Sequence, residues 1–261
     1  MTPEEICNEI MRCERLAGEI ILSCEGASAK TKTDARNIVT EYDTRVQALL
    51  TEKLGSFLPG AHFFCEEGDD RDSAVKGEVF IIDPIDGTMN FFRGMSASVI
   101  SAAYAKDGEV LAGAVYNPYL DEMFHAVKGK GAFLNDRRIH VTDEPLSDTI
   151  VAFGTSPYYL SLTRRSFALA EEMFNRSLDV RRSGSAALDA CSVAAGRAGL
   201  YFELQISYWD YAAGAFIARE AGAAAVTAEG APLPNDGSRS SIVVGSRQNV
   251  DAFLAAAAGI S

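Results

Sequence analysis

In the N-terminal part of the chain, hydrophobic residues recur with the period of an α-helix in two stretches. Apolar residues at positions 6, 10, 16, 20 and 21 share one face, and Thr2-Pro3-Glu4-Glu5 supplies a cap, a first-turn proline and acids for the positive helix end. This pattern predicts a helix that ends near Ser23. Residues 25–33 interrupt the pattern and predict a loop. Apolar positions 46, 49, 50 and 54 predict a second helix over residues 43–54.

Apolar runs of strand length dominate the middle of the chain. A short strand is predicted over residues 61–65, and the run from Val79 to Ile82 leads directly into Asp83. Two further runs, 98–104 and 109–116, flank an Asp-Gly pair, which indicates a β-hairpin. Together with residues 122–127, they predict an antiparallel meander.

After Pro145, strand-like and helical patterns alternate along the chain. Because sheets and helices are predicted on both sides of this point, we expect an α+β or α/β fold. It would consist of two halves, residues 1–145 and 146–261, that form one compact unit. The predicted strands of the second half are 149–153, 179–181, 200–203, 223–226 and 241–245, and its predicted helices are 160–174, 185–195, 208–222 and 248–258.

Two carboxylates, Asp83 and Asp86, end the apolar strand and precede Gly87 and Thr88 at a candidate helix start. Burying an unpaired charge costs several kcal/mol or more, so packing does not explain this pair. Hard oxygen ligands suit Mg²⁺, and the backbone N–H groups of Gly87 and Thr88 would face an anion beside the metal. The stretch therefore predicts a metal site that binds an anionic group.

A second acidic pair, Glu66 and Glu67, follows the predicted strand over residues 61–65. Ligands bind at the carboxyl ends of strands in open sheets, so we expect this pair near Asp83 and Asp86. Read alone, the acidic run that begins at Glu66 is equally consistent with a metal site and with a solvated turn.

Two Mg²⁺ ions about 3.5–4 Å apart need a bridging carboxylate and several other oxygens. Asp83 is the candidate bridge, with Glu66 on one ion and Asp86 on the other. Because Pro84 fixes the turn, the Ile85 carbonyl would add a neutral oxygen.

Asp43 has two interpretations. It either starts the second helix or orients the Thr88 hydroxyl beside a water molecule on the metal. A carboxylate–hydroxyl pair suits the second role, because a weak base can relay a proton that a metal has already made acidic.

Further candidates lie in the second half. Asp210 either binds the second ion or interacts with the positive end of its helix. Glu203 either accepts hydrogen bonds from substrate hydroxyls or faces solvent. Gly184, Ser185 and Ala186 fit a tight strand-to-helix turn, which packing and substrate contact explain equally well.

The composition narrows the possible partners. Among 261 residues, 24 Lys and Arg face 36 Asp and Glu, which gives a formal net charge of −12. Such a charge repels nucleic acid and anionic membranes, so we expect neither as a partner, and a phosphate ester would need bound cations. The five cysteines form no C-x-x-C pair, which disfavours zinc and disulfide frameworks. With no signal peptide and no membrane-length apolar stretch, we expect a cytoplasmic location.

These motifs together resemble the inositol monophosphatase family, which comprises Mg²⁺-dependent, lithium-sensitive sugar phosphatases. The similarity extends from about Lys32 to Gly214, and its joint signal is specific although each short motif is weak. The matching motifs are Glu66-Glu67, V-T-x-x-D at 39–43, D-P-I-D-G-T-x-N-F at 83–91, G-x-G-A-x-x-N at 129–135, G-S-A-A at 184–187 and W-D-x-x-A-G at 209–214.

The resemblance implies a layered αβαβα sugar-phosphatase fold, usually a homodimer, with two or three Mg²⁺ ions per site. It assigns Glu66, Asp83 and the Ile85 carbonyl to the first metal and Asp83, Asp86 and Asp210 to the second. A third, weaker ion would use Glu66 and water.

The resemblance also assigns the contacts of the substrate. The phosphate would contact the metals and the Gly87 and Thr88 amides, and the sugar hydroxyls would face Glu203 and the turn at 184–186. Lys32 and Glu67 would belong to the catalytic loop.

The chain departs from the family pattern at Asn37, Cys65, Met89 and Gly199. The first two positions concern the catalytic loop and the third ion. None removes a predicted metal ligand, so we expect activity.

The expected reaction is in-line hydrolysis of a phosphate monoester, and the expected substrate is inositol monophosphate. Thr88, Asp43 and Glu66 would activate the attacking water. Fructose 1,6-bisphosphate, NADP and 3′-phosphoadenosine 5′-phosphate are alternative substrates of the same chemistry, and Arg181 and Arg182 are candidates to recognise a second phosphate. A regulatory binding protein that retains the fold is the alternative from another class.

Overall fold

The computed structural model describes residues 1–24, 29–31, 38–68 and 76–260. Its α-helices are α1 (Pro3–Leu22), α2 (Glu41–Phe57), α3 (Thr88–Phe92), α4 (Thr163–Phe174), α5 (Ala186–Ala194), α6 (Tyr208–Glu220) and α7 (Arg247–Ala257). Its strands are β1 (Ala29–Thr31), β2 (Ile38–Thr40), β3 (His62–Cys65), β4 (Glu78–Asp86), β5 (Val99–Lys106), β6 (Glu109–Asn117), β7 (Glu122–Val127), β8 (Gly131–Leu134), β9 (Arg137–Ile139), β10 (Ile150–Phe153), β11 (Asp179–Arg181), β12 (Leu200–Ile206), β13 (Ala224–Val226) and β14 (Ser240–Gly245). Short 3₁₀ turns occupy Leu146–Asp148 and Leu160–Leu162.

Two sheets and three helical layers alternate through the molecule. Helices α1 and α2 pack on one face of a seven-stranded sheet, and α5 and α6 lie between that sheet and a five-stranded sheet. Helices α4 and α7 cover the outer face of the second sheet. The layered αβαβα architecture expected from the sequence is thereby confirmed.

The strand order follows largely from the chain order. In the first sheet the order is β3-β4-β5-β6-β7-β8-β9, with β3 parallel to β4 and the remaining pairs antiparallel. The second sheet has the order β11-β10-β12-β14-β13, in which β10 is parallel to both β11 and β12. The two sheets fall on either side of residue 145, and the division into halves at that residue stays a prediction.

Most predicted elements occur within a few residues of their expected ends, and three differ. The expected loop over residues 25–33 contains β1, which pairs with β2 and which three residues of weak apolar pattern could not indicate. The helix expected over 160–174 begins with a 3₁₀ turn before α4. The strand expected to end at Asp83 continues to Asp86 with a register shift between these two residues.

Packing explains the glycine at position 199, which is one of the departures from the family pattern. A Cβ atom at this position would lie 2.1 Å from Cγ2 of Thr149, so a larger residue would displace the start of β12 or β10. None of the helices in the described part of the chain is long and apolar enough to cross a bilayer.

Candidate active site

The ends of β3 and β4 meet the N-terminal turns of α3, α5 and α6 around a cavity of about 660 Å³. Most of the residues that the sequence singled out line this cavity, although they come from distant parts of the chain. They are Glu66, Asp83, Ile85, Asp86, Gly87, Thr88, Gly184, Ser185, Ala186, Glu203 and Asp210. Lys32 and Asn37 lie outside the described residues.

The irregular end of β4 brings Asp83 and Asp86 to the same cavity. Residues three apart on a regular strand point to opposite faces, so the register shift between the two re-aims one of them. Asp83 is 2% exposed and accepts a hydrogen bond from the Ile85 amide at 3.1 Å. Pro84 has no N–H to donate, and it is tolerated here because the register shift leaves its position without a paired residue on β5.

Gly87 is required by the turn that follows. Its φ of +89° lies in the left-handed region, and a Cβ atom would lie 3.1 Å from the Ala97 carbonyl and 3.3 Å from the Gly184 carbonyl. The backbone at residue 87 therefore packs directly against the turn at Gly184, which joins the two halves of the site.

The N-terminal end of α5 fixes Asp86. Oδ2 of Asp86 accepts hydrogen bonds from the Ser185 hydroxyl and the Ala187 amide, both at 2.7 Å. A carboxylate at a helix N-terminus is favoured by the exposed N–H groups and by the helix dipole. The turn at 184–186 thus holds a carboxylate as well as lining the cavity.

Asp210 fulfils the capping interpretation and also lines the cavity. It lies in the first turn of α6, and its Oδ2 accepts a hydrogen bond from the Ser207 amide at 2.7 Å in a capping box. The two alternatives that the sequence left open for this residue are compatible.

Asp43 likewise has both of its predicted contacts. Its Oδ2 accepts hydrogen bonds from the amide and hydroxyl of Thr40, which caps α2. Oδ1 lies 3.2 Å from the Thr88 hydroxyl, which is also 3.1 Å from the Ile85 carbonyl. The single Thr88 proton can be donated to either acceptor.

Carboxylate oxygens of Asp43, Glu66 and Glu67 lie within 4.8 Å of one another, which is compatible with a metal ion between them. The side chain of Gln47 hydrogen-bonds both the amide and the carbonyl of Glu67. The acidic pair after β3 is therefore held by α2 and is no freely solvated turn.

The electrostatics of the cavity favour the binding of a cation. Burial raises the pKa of Asp83 well above its usual value, and the nearby carboxylates of Glu66, Asp86 and Asp210 raise it further. Burial, together with Asp86 and Glu66, likewise raises the pKa of Asp210. The pKa of Asp86 rises only to about 6, because hydrogen bonds, chiefly from Ser185, offset part of the cost of burial. This set of oxygen donors fits Mg²⁺, which would compensate their mutual repulsion.

Glu203 does not face solvent. It is 8% exposed, and its carboxylate accepts hydrogen bonds from the Ser156 amide at 2.6 Å and from the Tyr201 hydroxyl at 2.9 Å. Burial raises its pKa. A Cβ atom on Gly154 would lie 1.9 Å from Oε2 of Glu203, so glycine is needed where the chain passes this carboxylate.

Several lining residues escaped the sequence reasoning. Asp189 follows Ser185 by one helical turn, a spacing that could have revealed it, and burial raises its pKa to about 8. Arg239 was also missed, whereas Arg182, which the sequence offered together with Arg181 as a contact for a second phosphate, lines the cavity as expected and Arg181 does not. The Arg239 guanidinium donates a hydrogen bond to the Tyr159 hydroxyl and lies 5.7 Å from the centre of its ring. No local motif marks this pair, because its members lie 80 residues apart.

Comparison with known proteins gives a consistent result. The profile described as "Inositol monophosphatase family" matches residues 3–260. A protein of Vibrio cholerae named "Nus factor SuhB" is 38% identical over 222 residues, covering 83% of this chain and 82% of the relative. A "Fructose-1,6-bisphosphatase/inositol-1-monophosphatase" of Thermotoga maritima is 38% identical over 196 residues, covering 75% of this chain and 73% of the relative.

A solved structure shares the whole architecture. An inositol monophosphatase of Thermotoga maritima superimposes with a TM-score of 0.85 at 31% identity, covering 95% of each chain. The layers and the strand order described above are therefore those of a known fold.

The raised pKa values predict how stability depends on pH and metal. A carboxyl group whose pKa is higher in the folded than in the unfolded state loses stabilising free energy as the pH rises between the two values. For Asp86, the interval runs from 3.8 to about 6 and corresponds to roughly 3 kcal/mol. In EDTA, the free energy of unfolding in urea should fall between pH 4.5 and pH 7, and added Mg²⁺ should restore it at pH 7.

The control for this measurement is the Asp86→Asn variant, in which the decline with pH should be smaller. An equal decline in the variant would contradict the raised pKa of Asp86, and no stabilisation by Mg²⁺ at pH 7 would contradict a metal site at these carboxylates.

Proposed function

The chain belongs to the inositol monophosphatase family, and on that premise we propose that it hydrolyses inositol monophosphate to inositol and phosphate at the 660 Å³ cavity. As a member of this family it is a phosphatase. The observation that carries the choice of site is the convergence of Asp83, Asp86, Asp210 and Glu66 on one cavity. The family is generally metal-dependent, and we propose two or three Mg²⁺ ions here.

The donor set suggests a division of roles among the carboxylates. Glu66, Asp83 and the Ile85 carbonyl would hold one ion, and Asp83, Asp86 and Asp210 a second. When bound, Mg²⁺ supplies positive charge for the phosphate and makes a bound water more acidic. Inhibition by lithium is a further property that we propose from the family resemblance.

The remaining residues would orient the reacting groups. Asp43 holds the Thr88 hydroxyl at 3.2 Å, so Thr88 can accept a proton from the attacking water as it passes its own to Asp43. Glu66 would assist as a second base. The amides of Gly87 and Thr88 would donate hydrogen bonds to the phosphate. Lys32 and Glu67 remain the proposed residues of the catalytic loop.

Substrate hydroxyls would meet Glu203 and the turn at 184–186. Each carboxylate oxygen of Glu203 accepts one hydrogen bond from the protein and retains a second lone pair for a sugar hydroxyl. A cytoplasmic location, where inositol phosphates and Mg²⁺ are both available, is part of this proposal.

Phosphate release from inositol 1-phosphate tests the proposed reaction. Asp83→Asn removes one negative charge from the carboxylates that would hold the metal. We expect kcat to fall by roughly 10²–10³-fold, because the remaining carboxylates would no longer balance the charge of the metal. EDTA should abolish phosphate release by the unchanged protein. Asp179→Asn is the matched control, since Asp179 pairs with Arg181 on the surface. Full activity of Asp83→Asn in excess Mg²⁺ would contradict the proposal.

A purely regulatory role is the competing hypothesis, and the Vibrio cholerae relative carries the name of a Nus factor. The complete carboxylate set disfavours regulation as the only role, because buried acids without a catalytic metal destabilise the fold. EDTA-insensitive function together with no phosphate release would favour regulation.

One observation favours a substrate with a second anionic group, such as a sugar bisphosphate. Arg182 and Arg239 line the cavity, and neither forms an ion pair within the described residues. A guanidinium group at the rim can bind a second phosphate through paired hydrogen bonds. This candidate keeps the same reaction and changes only the preferred substrate.

We therefore expect Arg239→Ala to lower kcat/KM for fructose 1,6-bisphosphate by about tenfold while leaving inositol 1-phosphate unaffected. Arg181→Ala is the control, because Arg181 pairs with Asp179 and does not line the cavity. Equal losses on both substrates would rule out a specific contact to the second phosphate.

We also propose a homodimer. Large apolar side chains are more than half exposed on and beside α4, next to the edge strand β11. They are Leu160, Phe167, Phe174 and Leu178. Exposed large apolar side chains that are grouped on one helix and its flanking segments are a feature of interfaces between proteins.

Light scattering should give twice the chain mass of 28.0 kDa for the unchanged protein. Phe174→Asp should shift the mass towards a monomer, because it buries a charge in the interface. Leu120→Asp, at a similarly exposed site between β6 and β7, should not. A mass of one chain for the protein without substitutions would refute the dimer.

A further inference from the structure

The segment that follows β10 runs beside β12 and forms one wall of the cavity. The Gly154 amide donates a hydrogen bond to the Phe202 carbonyl at 2.9 Å, which continues the contact between the two strands beyond the end of β10. Residues 154 and 157–159 line the cavity. The segment is therefore both an extension of the second sheet and a surface that a bound substrate would meet.

Ser156, in the middle of this segment, has a backbone conformation that residues with a side chain rarely adopt. Its φ is +45°, and it is 1% exposed. The left-handed region costs such a residue roughly 1–2 kcal/mol. A residue stays in this conformation only where its contacts hold it there, and such residues are frequent at functional sites. The contacts of Ser156 therefore indicate what the conformation serves.

Two hydrogen bonds join Ser156 to β12. Its Oγ accepts a hydrogen bond from the Gln205 amide at 2.9 Å, and its own amide donates to Oε1 of Glu203 at 2.6 Å. The first bond fixes the Ser156 backbone, and the second fixes one oxygen of the Glu203 carboxylate. Burial raises the pKa of Glu203, and the hydrogen bond from the Ser156 amide opposes that shift, which favours the carboxylate form that accepts hydrogen bonds.

The other oxygen of the Glu203 carboxylate is fixed from the opposite side. The Tyr201 hydroxyl donates to Oε2 at 2.9 Å, and a Cβ atom on Gly154 would lie 1.9 Å from the same oxygen. Glycine at position 154 leaves the space that this oxygen occupies. Both oxygens are thus held by the protein, so the orientation of the carboxylate is set before a substrate binds.

We propose that Ser156 is a positioning residue that makes the site selective for phosphate esters of polyols. It holds Glu203 where the remaining lone pairs of the carboxylate can accept hydrogen bonds from hydroxyl groups of the leaving alcohol. A site built to bind hydroxyl groups rejects an analogue without them, because its buried acceptor is then left without a donor. This inference rests on the proposed phosphatase function and on the proposed contact between Glu203 and the substrate.

The test compares two esters that differ in their alcohol, since inositol 1-phosphate carries further hydroxyl groups and phenyl phosphate carries none. Ser156→Ala should lower kcat/KM for inositol 1-phosphate by about tenfold, because without Oγ the segment is released and its amide no longer fixes Glu203. For phenyl phosphate the loss should stay below about twofold, because that ester offers Glu203 no donor. Ser156→Gly removes the same Oγ without strain at a positive φ, so it should discriminate between the esters in the same direction.

A double-mutant cycle separates positioning from a general structural role. In the Glu203→Gln protein, which already lacks the carboxylate, Ser156→Ala should cause no further loss on inositol 1-phosphate.

Asn135→Ala is the matched control. Asn135 also has a positive φ, of +52°, and its side-chain oxygen also accepts a hydrogen bond from an amide, that of Met123 at 2.9 Å, but it does not line the cavity. This variant should retain the kcat/KM of the protein without substitutions on both esters. Thermal unfolding checks that every variant is folded, and Ser156→Gly replaces Ser156→Ala in the cycle if the latter is not.

Three results would overturn the proposal. They are equal losses on both esters, full activity of the folded Ser156 variants on inositol 1-phosphate, and an additive loss in the Glu203→Gln protein.

A failure of the phosphatase function itself gives a different result, namely no phosphate release from either ester by the protein without substitutions. Calorimetric titration in Mg²⁺ is then undisturbed by turnover and decides the role of Ser156. The protein without substitutions should bind inositol 1-phosphate more tightly than phenyl phosphate, and Ser156→Ala should remove most of that preference. Equal affinities of the protein without substitutions for the two esters would overturn the proposal.

Discussion

Several carboxylates brought together away from water dominate this structure. Asp83 and Asp86 are buried and Asp210 is partly buried beside Glu66, and the groups that raise the pKa of Asp83, apart from burial itself, are other carboxylates. Such an arrangement is unfavourable in isolation, because each charge loses hydration and repels the next. A divalent cation removes both costs at once. The proposed metal would therefore stabilise the same carboxylates that take part in the proposed reaction.

Hydrogen bonds from the N-terminal turns of helices hold these carboxylates in place. Asp86 is hydrogen-bonded by the first turn of α5, Asp210 by that of α6, and Asp43 by the start of α2. The N–H groups that each helix leaves unpaired at its start offset part of the negative charge before any metal is present. Asp86 and Asp210 also line the cavity, and Asp43 reaches it through the Thr88 hydroxyl. For Asp43 and Asp210, the choice between a capping role and a site role is not a real one.

Local patterns in the sequence indicated the helices, most strands and the chemical type of the candidate site. Period and apolar pattern predicted the helices and most strands because they reflect local burial, and D-P-I-D-G-T-x-N-F marked the acids because charge at the end of a buried strand is costly. Folding of the whole chain set the pairing of β1 with β2, the register shift between Asp83 and Asp86, the burial of Glu203, and the hydrogen bond between Arg239 and Tyr159. These features depend on contacts between residues far apart in the chain, and no local pattern encodes which distant group will be the neighbour.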